Sequence, residues 1–192
     1  TWNNSISVSG GGDKSTYLLS YSNLTQQGIV KNNTFDRNSL LGNFTAQLSQ
    51  TVSSSTSVNY ISSKAVRLSE GNGPLSYLYA LNFQPISFNA RAAYGQLGNQ
   101  AWTASNNFTT GFNNPYWLIN NNSLPSLVDR VIASNETSVQ ILPWLKLTNR
   151  IGLDTYTDEQ QERINIQTIS VPQGRMYEAV IKRTQINNDL IL

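Results

Sequence analysis

The sequence predicts an all-β protein: an antiparallel, up-and-down transmembrane β-barrel, of which this chain supplies about seven long strands with long extracellular loops. Three observations lead to this prediction. Apolar and polar residues alternate for a dozen or so positions on both sides of Pro143. The connectors between alternating segments are short and long by turns. The composition is polar but poor in charge. Globular strands average roughly 5–6 residues, whereas a tilted strand needs roughly 9–11 to cross a bilayer.

The alternation predicts strands in chain order. The first two flank the run from Gly10 to Lys14, a tight connector in which glycine is expected to supply positive φ. Pro143-Trp144 is expected at a turn, because proline cannot donate a hydrogen bond to a strand ladder. Alternation is poorest in the last segment. The predicted strands are residues 4–10, 15–24, 38–50, 55–63, 129–142, 145–158 and 175–190.

Connector length alternates strictly along the chain. The predicted connectors are 10–14 (short), 26–37 (longer), 50–55 (short), 64–127 (very long), 142–144 (short) and 157–174 (medium). Membrane barrels have short turns on the periplasmic side and long loops outside, whereas a Greek-key sandwich has no reason to alternate. The connector 64–127 is therefore predicted to be a long extracellular loop.

The strand after Pro143 shows the two predicted faces most clearly. Side chains alternate across a strand, so every second residue shares a face. The residues expected to face lipid are Leu145, Leu147, Ile151 and Leu153, and those expected to face the lumen are Lys146, Arg150 and Asp154. Arg150 and Asp154 are expected to pair with neighbouring lumen or plug groups rather than to bind substrate.

Aromatic residues fall into two groups. One group lies near the predicted strand ends, and for it we favour a role in a girdle at the membrane interface over a role in sugar stacking. This group is Tyr17, Tyr21, Tyr60, Trp144 and Tyr156. The segment from Asn113 to Trp117 predicts a turn with two exposed aromatics. Tyr116 and Trp117 are candidate contacts to a ligand or a capping partner, although packing that folds the long loop over the barrel mouth is favoured.

Composition excludes several classes of function. The 192 residues suit one domain and include no Cys and no His, which excludes disulfides and His-based triads. A net charge of +2 argues against nucleic acid as a partner. The only dense carboxylates, between Asp154 and Glu162, lie in a predicted polar loop. The sequence therefore predicts no catalytic, cofactor or metal site, and no enzyme.

The sequence contains neither a candidate membrane helix nor an opening signal peptide. No apolar run reaches the length of a membrane helix, and no signal peptide opens the sequence. The start at Thr1-Trp2 is therefore expected to be a cut rather than a biological N-terminus.

A set of short motifs lies in a fixed order and spacing over most of residues 4–159. The motifs are Ile6-Ser7-Val8-Ser9-Gly10-Gly11, Asp13-Lys14-Ser15-Thr16-Tyr17, Tyr21, Gly28-Ile29-Val30, Arg37, Asn43, Asn114-Pro115-Tyr116-Trp117, Asn120-Asn121-Asn122, Asp129-Arg130, Trp144-Leu145-Lys146-Leu147 and Arg150-Ile151-Gly152-Leu153-Asp154. Together, in this order and spacing, they resemble the barrel strands of SusC/RagA-type TonB-dependent outer-membrane transporters.

The resemblance implies an importer of bulky nutrients, such as glycan or peptide fragments, in the outer membrane of Bacteroidota. Its implied partners are a SusD-like surface lipoprotein, the TonB complex, the cargo and the lipid bilayer. Such barrels have on the order of 22 strands around a plug. With about seven strands, no plug domain and no TonB-box candidate, the chain is expected to be a fragment.

Two alternatives stay open beside the importer. The first is a soluble, secreted carbohydrate-binding β-sandwich that uses Trp and Tyr platforms, since soluble sheets also alternate apolar and polar faces. The second is a structural or adhesin β-domain of the outer membrane without transport.

Overall fold

The computed structural model of the protein describes residues 1–97 and 112–192. Seven strands and, among the described residues, three short helices make up the regular structure. The strands are β1 (Trp2–Gly12), β2 (Ser15–Gln27), β3 (Thr34–Gln47), β4 (Val52–Arg67), β5 (Leu124–Leu142), β6 (Leu145–Ile164) and β7 (Arg175–Ile191), and the helices are α1 (Tyr77–Phe83), α2 (Ala90–Leu97) and α3 (Pro115–Asn121). None of these helices is long and apolar enough to span a membrane.

The strands form one antiparallel sheet in the order in which they occur in the chain. Each strand pairs with its sequence neighbours. Within the described part of the chain, the edge strands β1 and β7 are paired on one side only. The predicted seven-stranded, antiparallel, up-and-down β arrangement is therefore confirmed, and closure into a membrane barrel stays a prediction.

The strands are longer than the alternation predicts. The connector predicted at 64–127 is 68–123, because β4 continues to Arg67 and β5 begins at Leu124. The strand predicted at 145–158 continues to Ile164, so the loop prediction is wrong over residues 159–164, which pair with β7. That segment carries no apolar alternation, but backbone hydrogen bonds extend a ladder whatever the side chains.

The two ends of the sheet differ in their connectors, as the sequence predicts. One end, here called the turn end, holds the connectors 13–14, 48–51 and 143–144. The other, the loop end, holds 28–33, 68–123 and 165–174. Of the long connector, residues 98–111 lie outside the described residues. Consecutive antiparallel strands put alternate connectors at opposite ends, so the alternation in length separates the sheet into two different ends.

The register of the pairs assigns every strand residue to one of two faces, because directly paired side chains point to the same side. The apolar face has a central row in which every strand contributes an apolar residue or glycine: Val8, Leu19, Gly42, Val58, Ala133, Leu153 and Ile186. No described element covers this face, and Ile6 and Ile186 are each 67% exposed. The opposite, polar face is rich in serine, threonine and asparagine.

The buried apolar core lies in the connectors rather than on the sheet. Leu68, Tyr77, Ala80 and Leu118 form a buried cluster. Val30, Trp117 and Ile119 pack against it, so the connectors 28–33 and 68–123 share one core. The described parts of these connectors, together with 165–174, form a folded loop layer at the loop end.

The glycines of the first hairpin have a different role from the one predicted. Positive φ occurs at Gly71 and Gly174 among the described glycines, and not at Gly10, Gly11 or Gly12. A Cβ on Gly11 would lie 2.4 Å from the carbonyl oxygen of Ser15. Gly11 is therefore required for close approach of the two backbones.

We expect Gly11→Ala to destabilise the β1–β2 hairpin by about 1–3 kcal/mol, because the methyl group overpacks against backbone that cannot move aside cheaply. Hydrogen exchange of the hairpin amides measures the loss. Gly12→Ala is the matched control, since nothing lies within 4 Å of a Cβ built there. Equal exchange in the two variants would contradict the close-approach explanation.

Candidate functional site

The candidate site is the sheet with its two unlike faces. Leu145, Leu147, Ile151 and Leu153 lie on the apolar face, and Lys146, Arg150 and Asp154 lie on the polar face. The register places Leu147 opposite Val139 and Leu153 opposite Ala133 on β5. The segregation that the sequence predicts is therefore present. That the first face meets lipid and the second a lumen stays a prediction.

A polar row bounds the apolar face toward the loop end. Its members, in register across all seven strands, are Asn4, Asn23, Asn38, Ser62, Asp129, Thr157 and Lys182. Two tyrosines one row nearer the turn end direct their hydroxyls to it. Tyr21 donates to Asn38 Oδ1 at 2.8 Å and Tyr60 to Asp129 Oδ1 at 2.8 Å. An apolar ring with its polar tip at a boundary is the arrangement that an interfacial tyrosine adopts.

The other three residues predicted to belong to the interfacial girdle lie in three different places. Tyr17 lies on the apolar face near the turn end, with its ring over Gly10, where a Cβ would meet the hydroxyl at 2.6 Å. Trp144 occupies the exposed turn between β5 and β6. The prediction is wrong for Tyr156, which does not lie on the apolar face. As an even-numbered residue of β6 it lies on the polar face, paired in the register with Arg130.

Ion pairs on the polar face link neighbouring strands. Arg150 Nε lies 2.6 Å from Glu136 Oε2, and the two guanidinium nitrogens of Arg130 bind both carboxylate oxygens of Asp154. These side chains are 36–56% exposed, so solvent screens each pair and its contribution to stability is small. As expected, Arg150 and Asp154 each pair with a group on the neighbouring strand, Arg150 with Glu136 and Asp154 with Arg130.

Charge is unevenly distributed over the polar face. The ion pairs lie on β5, β6 and β7, whereas the polar face of β1 and β2 carries no ionisable side chain. At the turn end, a depression of about 350 Å³ is lined by hydroxyl groups, such as those of Thr16 and Thr45, and by three charged residues, Asp13, Lys14 and Glu136. The polar face is thus uncharged on β1 and β2, carries Arg37 and Arg67 on β3 and β4, and is ion-paired on β5, β6 and β7.

Buried asparagines hold the loop layer together. Asn113 is fully buried; its Nδ2 donates to Pro74 O at 2.7 Å and Ile169 O at 3.1 Å, and its Oδ1 accepts from Ile169 N at 2.7 Å. Asn122 Oδ1 accepts from Asn165 N at 3.0 Å. These bonds tie the long connector to the β6–β7 connector.

The segment from Asn113 to Trp117 is not the predicted turn. Asn114 Oδ1 accepts from Tyr116 N, so Asn114 is the N-cap of α3, and Pro115 occupies the first helical turn. An N-cap asparagine before proline is the usual start signal of a helix, and it could have been recognised in the sequence. The importance of Asn113 had no such local signal, because its partners are far away in the chain.

Tyr116 and Trp117 are partly buried rather than exposed. Trp117 packs against the buried cluster, and its Nε1 donates to Thr168 Oγ1 at 3.0 Å. Its ring therefore serves the packing of the loop layer, the interpretation favoured above. Tyr116 stacks near Tyr94 with ring centroids 6.4 Å apart and lines a depression at the α1–α2 turn.

No family model matches the chain, and no curated protein matches it significantly. The function therefore has to follow from the two faces, the two ends and the free edges of the sheet.

Proposed function

We propose that the chain forms part of the wall and the surface loops of a bacterial outer-membrane β-barrel, in a TonB-dependent importer similar to the SusC/RagA type. The observation that carries the proposal is the uncovered apolar face, with a polar, ion-paired face behind it. Lipid would cover the first face, and a water-filled or protein-filled lumen would solvate the second.

The dimensions of the sheet support a membrane wall. The strands have 11 to 20 residues, against roughly 9–11 needed to cross a bilayer at a tilt. Interfacial tyrosines and a polar row bound the apolar face toward the loop end. A soluble sandwich would place a second sheet on this apolar face, and no described element does so.

The edges of the sheet support a larger barrel. Among the residues that the structure describes, no strand pairs with the outer edge of β1, which has 11 residues, or of β7, which has 17. Exposed edges of this length invite pairing with further strands, and a closed barrel satisfies them. We therefore place additional strands of the same barrel against β1 and β7.

Transport and its partners rest on the resemblance of the sequence motifs. The proposed cargo is a glycan or peptide fragment, the proposed energy source is the TonB complex, and the proposed cap is a SusD-like lipoprotein over the loop layer. The folded loop layer is a surface on which such a cap could sit. A structural or adhesin domain would share the membrane wall but would lack uptake.

We expect the full-length polypeptide that contains this chain to fractionate with the outer membrane and to need detergent for extraction.

On intact cells, a protease site inserted at Gly71, in the long connector, should be cut, because the loop end faces outward. The same site inserted at Ser49, at the turn end, is the matched control and should be cut only after the outer membrane is permeabilised.

Release into buffer without detergent would exclude the membrane wall. Cleavage at Ser49 but not at Gly71 on intact cells would show that the barrel has the opposite orientation. Uptake of labelled oligosaccharides and peptides by cells with and without the gene separates an importer from a structural or adhesin domain.

A further inference from the structure

A bend in the long connector holds the only Asn-Gly pair of the sequence, Asn72-Gly73. Asn72 is exposed, and Gly71 before it has a φ of +114°. Across the described residues, neither the side chain of Asn72 nor the main-chain amide of Gly73 takes part in a hydrogen bond. The side-chain carbonyl carbon of Asn72 and the amide nitrogen of Gly73 are therefore both available to react with each other.

The backbone around Asn72 differs from that of other asparagines that precede a small residue. Gly73 has no side chain to shield its nitrogen, and glycine reaches conformations that are closed to other residues. Asn4 and Asn38 precede serine, but the ladders of β1 and β3 fix their backbones. Such sites react only when the strand opens locally. Asn122, which also precedes serine, is buried, and its Oδ1 already accepts a hydrogen bond.

We propose that Asn72-Gly73 is a self-modifying site, whose spontaneous conversion to isoaspartate loosens the loop layer. The nitrogen of Gly73 bonds to Cγ of Asn72 and closes a five-membered succinimide ring. The bond from Cγ to Nδ2 breaks, and Nδ2 leaves as ammonia with the proton of the Gly73 amide. Solvent water then opens the ring. Addition at Cγ, which breaks the bond from Cγ to nitrogen, gives aspartate; addition at the main-chain carbonyl carbon, which breaks the bond from that carbon to nitrogen, gives isoaspartate.

The residues that follow the pair anchor the loop layer. Gly73 O accepts from Ser76 N at 2.9 Å, and Ser76 Oγ caps α1 by accepting from Tyr79 N at 3.3 Å. Pro74 O accepts from Asn113 Nδ2 at 2.7 Å. Isoaspartate lengthens the main chain by one methylene, about 1.5 Å, directly before these groups. The added length displaces them from their partners, whereas an aspartate of normal linkage leaves the main chain unchanged.

The first test ages the full-length protein in mildly alkaline buffer and follows the tryptic peptide of residues 68–91 by mass spectrometry. We expect the NH₂ group of residue 72 to be replaced by OH at least about tenfold faster than that of Asn82 or Asn89 in the same peptide, because folded structure restrains both. Asn82 lies within α1, and Asn89 Oδ1 accepts from Ala92 N at 3.1 Å. Fragmentation of the peptide distinguishes isoaspartate from aspartate.

Two variants separate the chemistry from its consequence. Gly73→Ala should slow the conversion at least about tenfold, because the methyl group shields the nitrogen and restricts the backbone. The fold tolerates it, since nothing lies within 4 Å of a Cβ built on Gly73 and its φ is not positive. Asn72→Asp carries the carboxylate without the added methylene. Hydrogen exchange at the Ser76 amide should be at least about tenfold faster in the isoaspartate form than in Asn72→Asp.

Each part of the proposal has its own contrary result. Conversion at residue 72 that is no faster than at Asn82, or that is unchanged in Gly73→Ala, overturns the modification site. Equal exchange at the Ser76 amide in the isoaspartate form and in Asn72→Asp overturns the loosening of the loop layer. None of these results depends on where the protein resides, so the proposed function stands or falls separately.

Discussion

Replacing Leu153 by arginine is expected to prevent most of the protein from assembling in the outer membrane. Leu153 stands in the central apolar row between Ala133 and Ile186, so the introduced charge would have no polar neighbour in its row. A charge on the lipid side near the midplane costs roughly 2–4 kcal/mol, because hydrocarbon cannot solvate it. The heat-dependent gel shift of folded barrel, compared with the unmodified protein, measures the loss.

Two further substitutions in β6 serve as comparisons for Leu153→Arg. Ile151→Arg should have the same sign but a smaller effect, since Asn135 and Asn188 flank it on the apolar face. Arg150→Gln removes the exposed ion pair with Glu136 on the polar face and should cost no more than about 1 kcal/mol. If Arg150→Gln abolished assembly while Leu153→Arg did not, the two faces would be assigned the wrong way round.

Replacing Asn113 by leucine is expected to loosen the loop layer while leaving the sheet folded. The substitution removes the side-chain partner of the carbonyl groups of Pro74 and Ile169 and of the amide of Ile169. These three bonds are partly buried, and each group left without its partner costs about 1 kcal/mol or more. We expect a total loss of about 3 kcal/mol or more, which corresponds to roughly 100-fold faster hydrogen exchange at the Ile169 amide.

Asn120→Ala is the control for this prediction. Asn120 is exposed; its Nδ2 donates to Tyr116 O at 2.7 Å within the same helix, and its Oδ1 accepts from Asn32 Nδ2 at 3.3 Å. Its removal should accelerate exchange by less than tenfold, because water can replace both of these exposed bonds. Equal exchange at Ile169 in the two variants would show that Asn113 does not hold the two connectors together.

Local alternation was sufficient to predict the number of strands, their order and the two faces of β6. It was also sufficient to predict the turn at Pro143-Trp144 and the strict alternation of short and long connectors. Side-chain alternation repeats along a strand with a period of two residues, and turn residues lie between the alternating segments. Both can therefore be recognised without knowing what the strand pairs with.

Strand ends could not be predicted in the same way. Residues 159–164 carry no alternation, and they are a strand because β7 runs alongside all of them and β5 alongside Glu159 and Gln160. Gly11 was expected to supply a turn conformation, but the close approach of Ser15 requires it. In both places the deciding neighbour comes from another strand, and side-chain pattern holds no information about it.

By itself the sequence determined that this protein is a two-faced antiparallel sheet with short turns at one end and long connectors at the other. Side-chain alternation, and the stretches that interrupt it, are local features of the sequence. Only the tertiary structure decided which residues hold the connectors together and which rows cross the sheet. The bonds of Asn113 to Ile169 span 56 residues, and Leu153 joins an apolar row only through the register of six strand pairs. Hydrogen bonds and register depend on partners distant in the chain, so their energies are fixed only when the chain has folded.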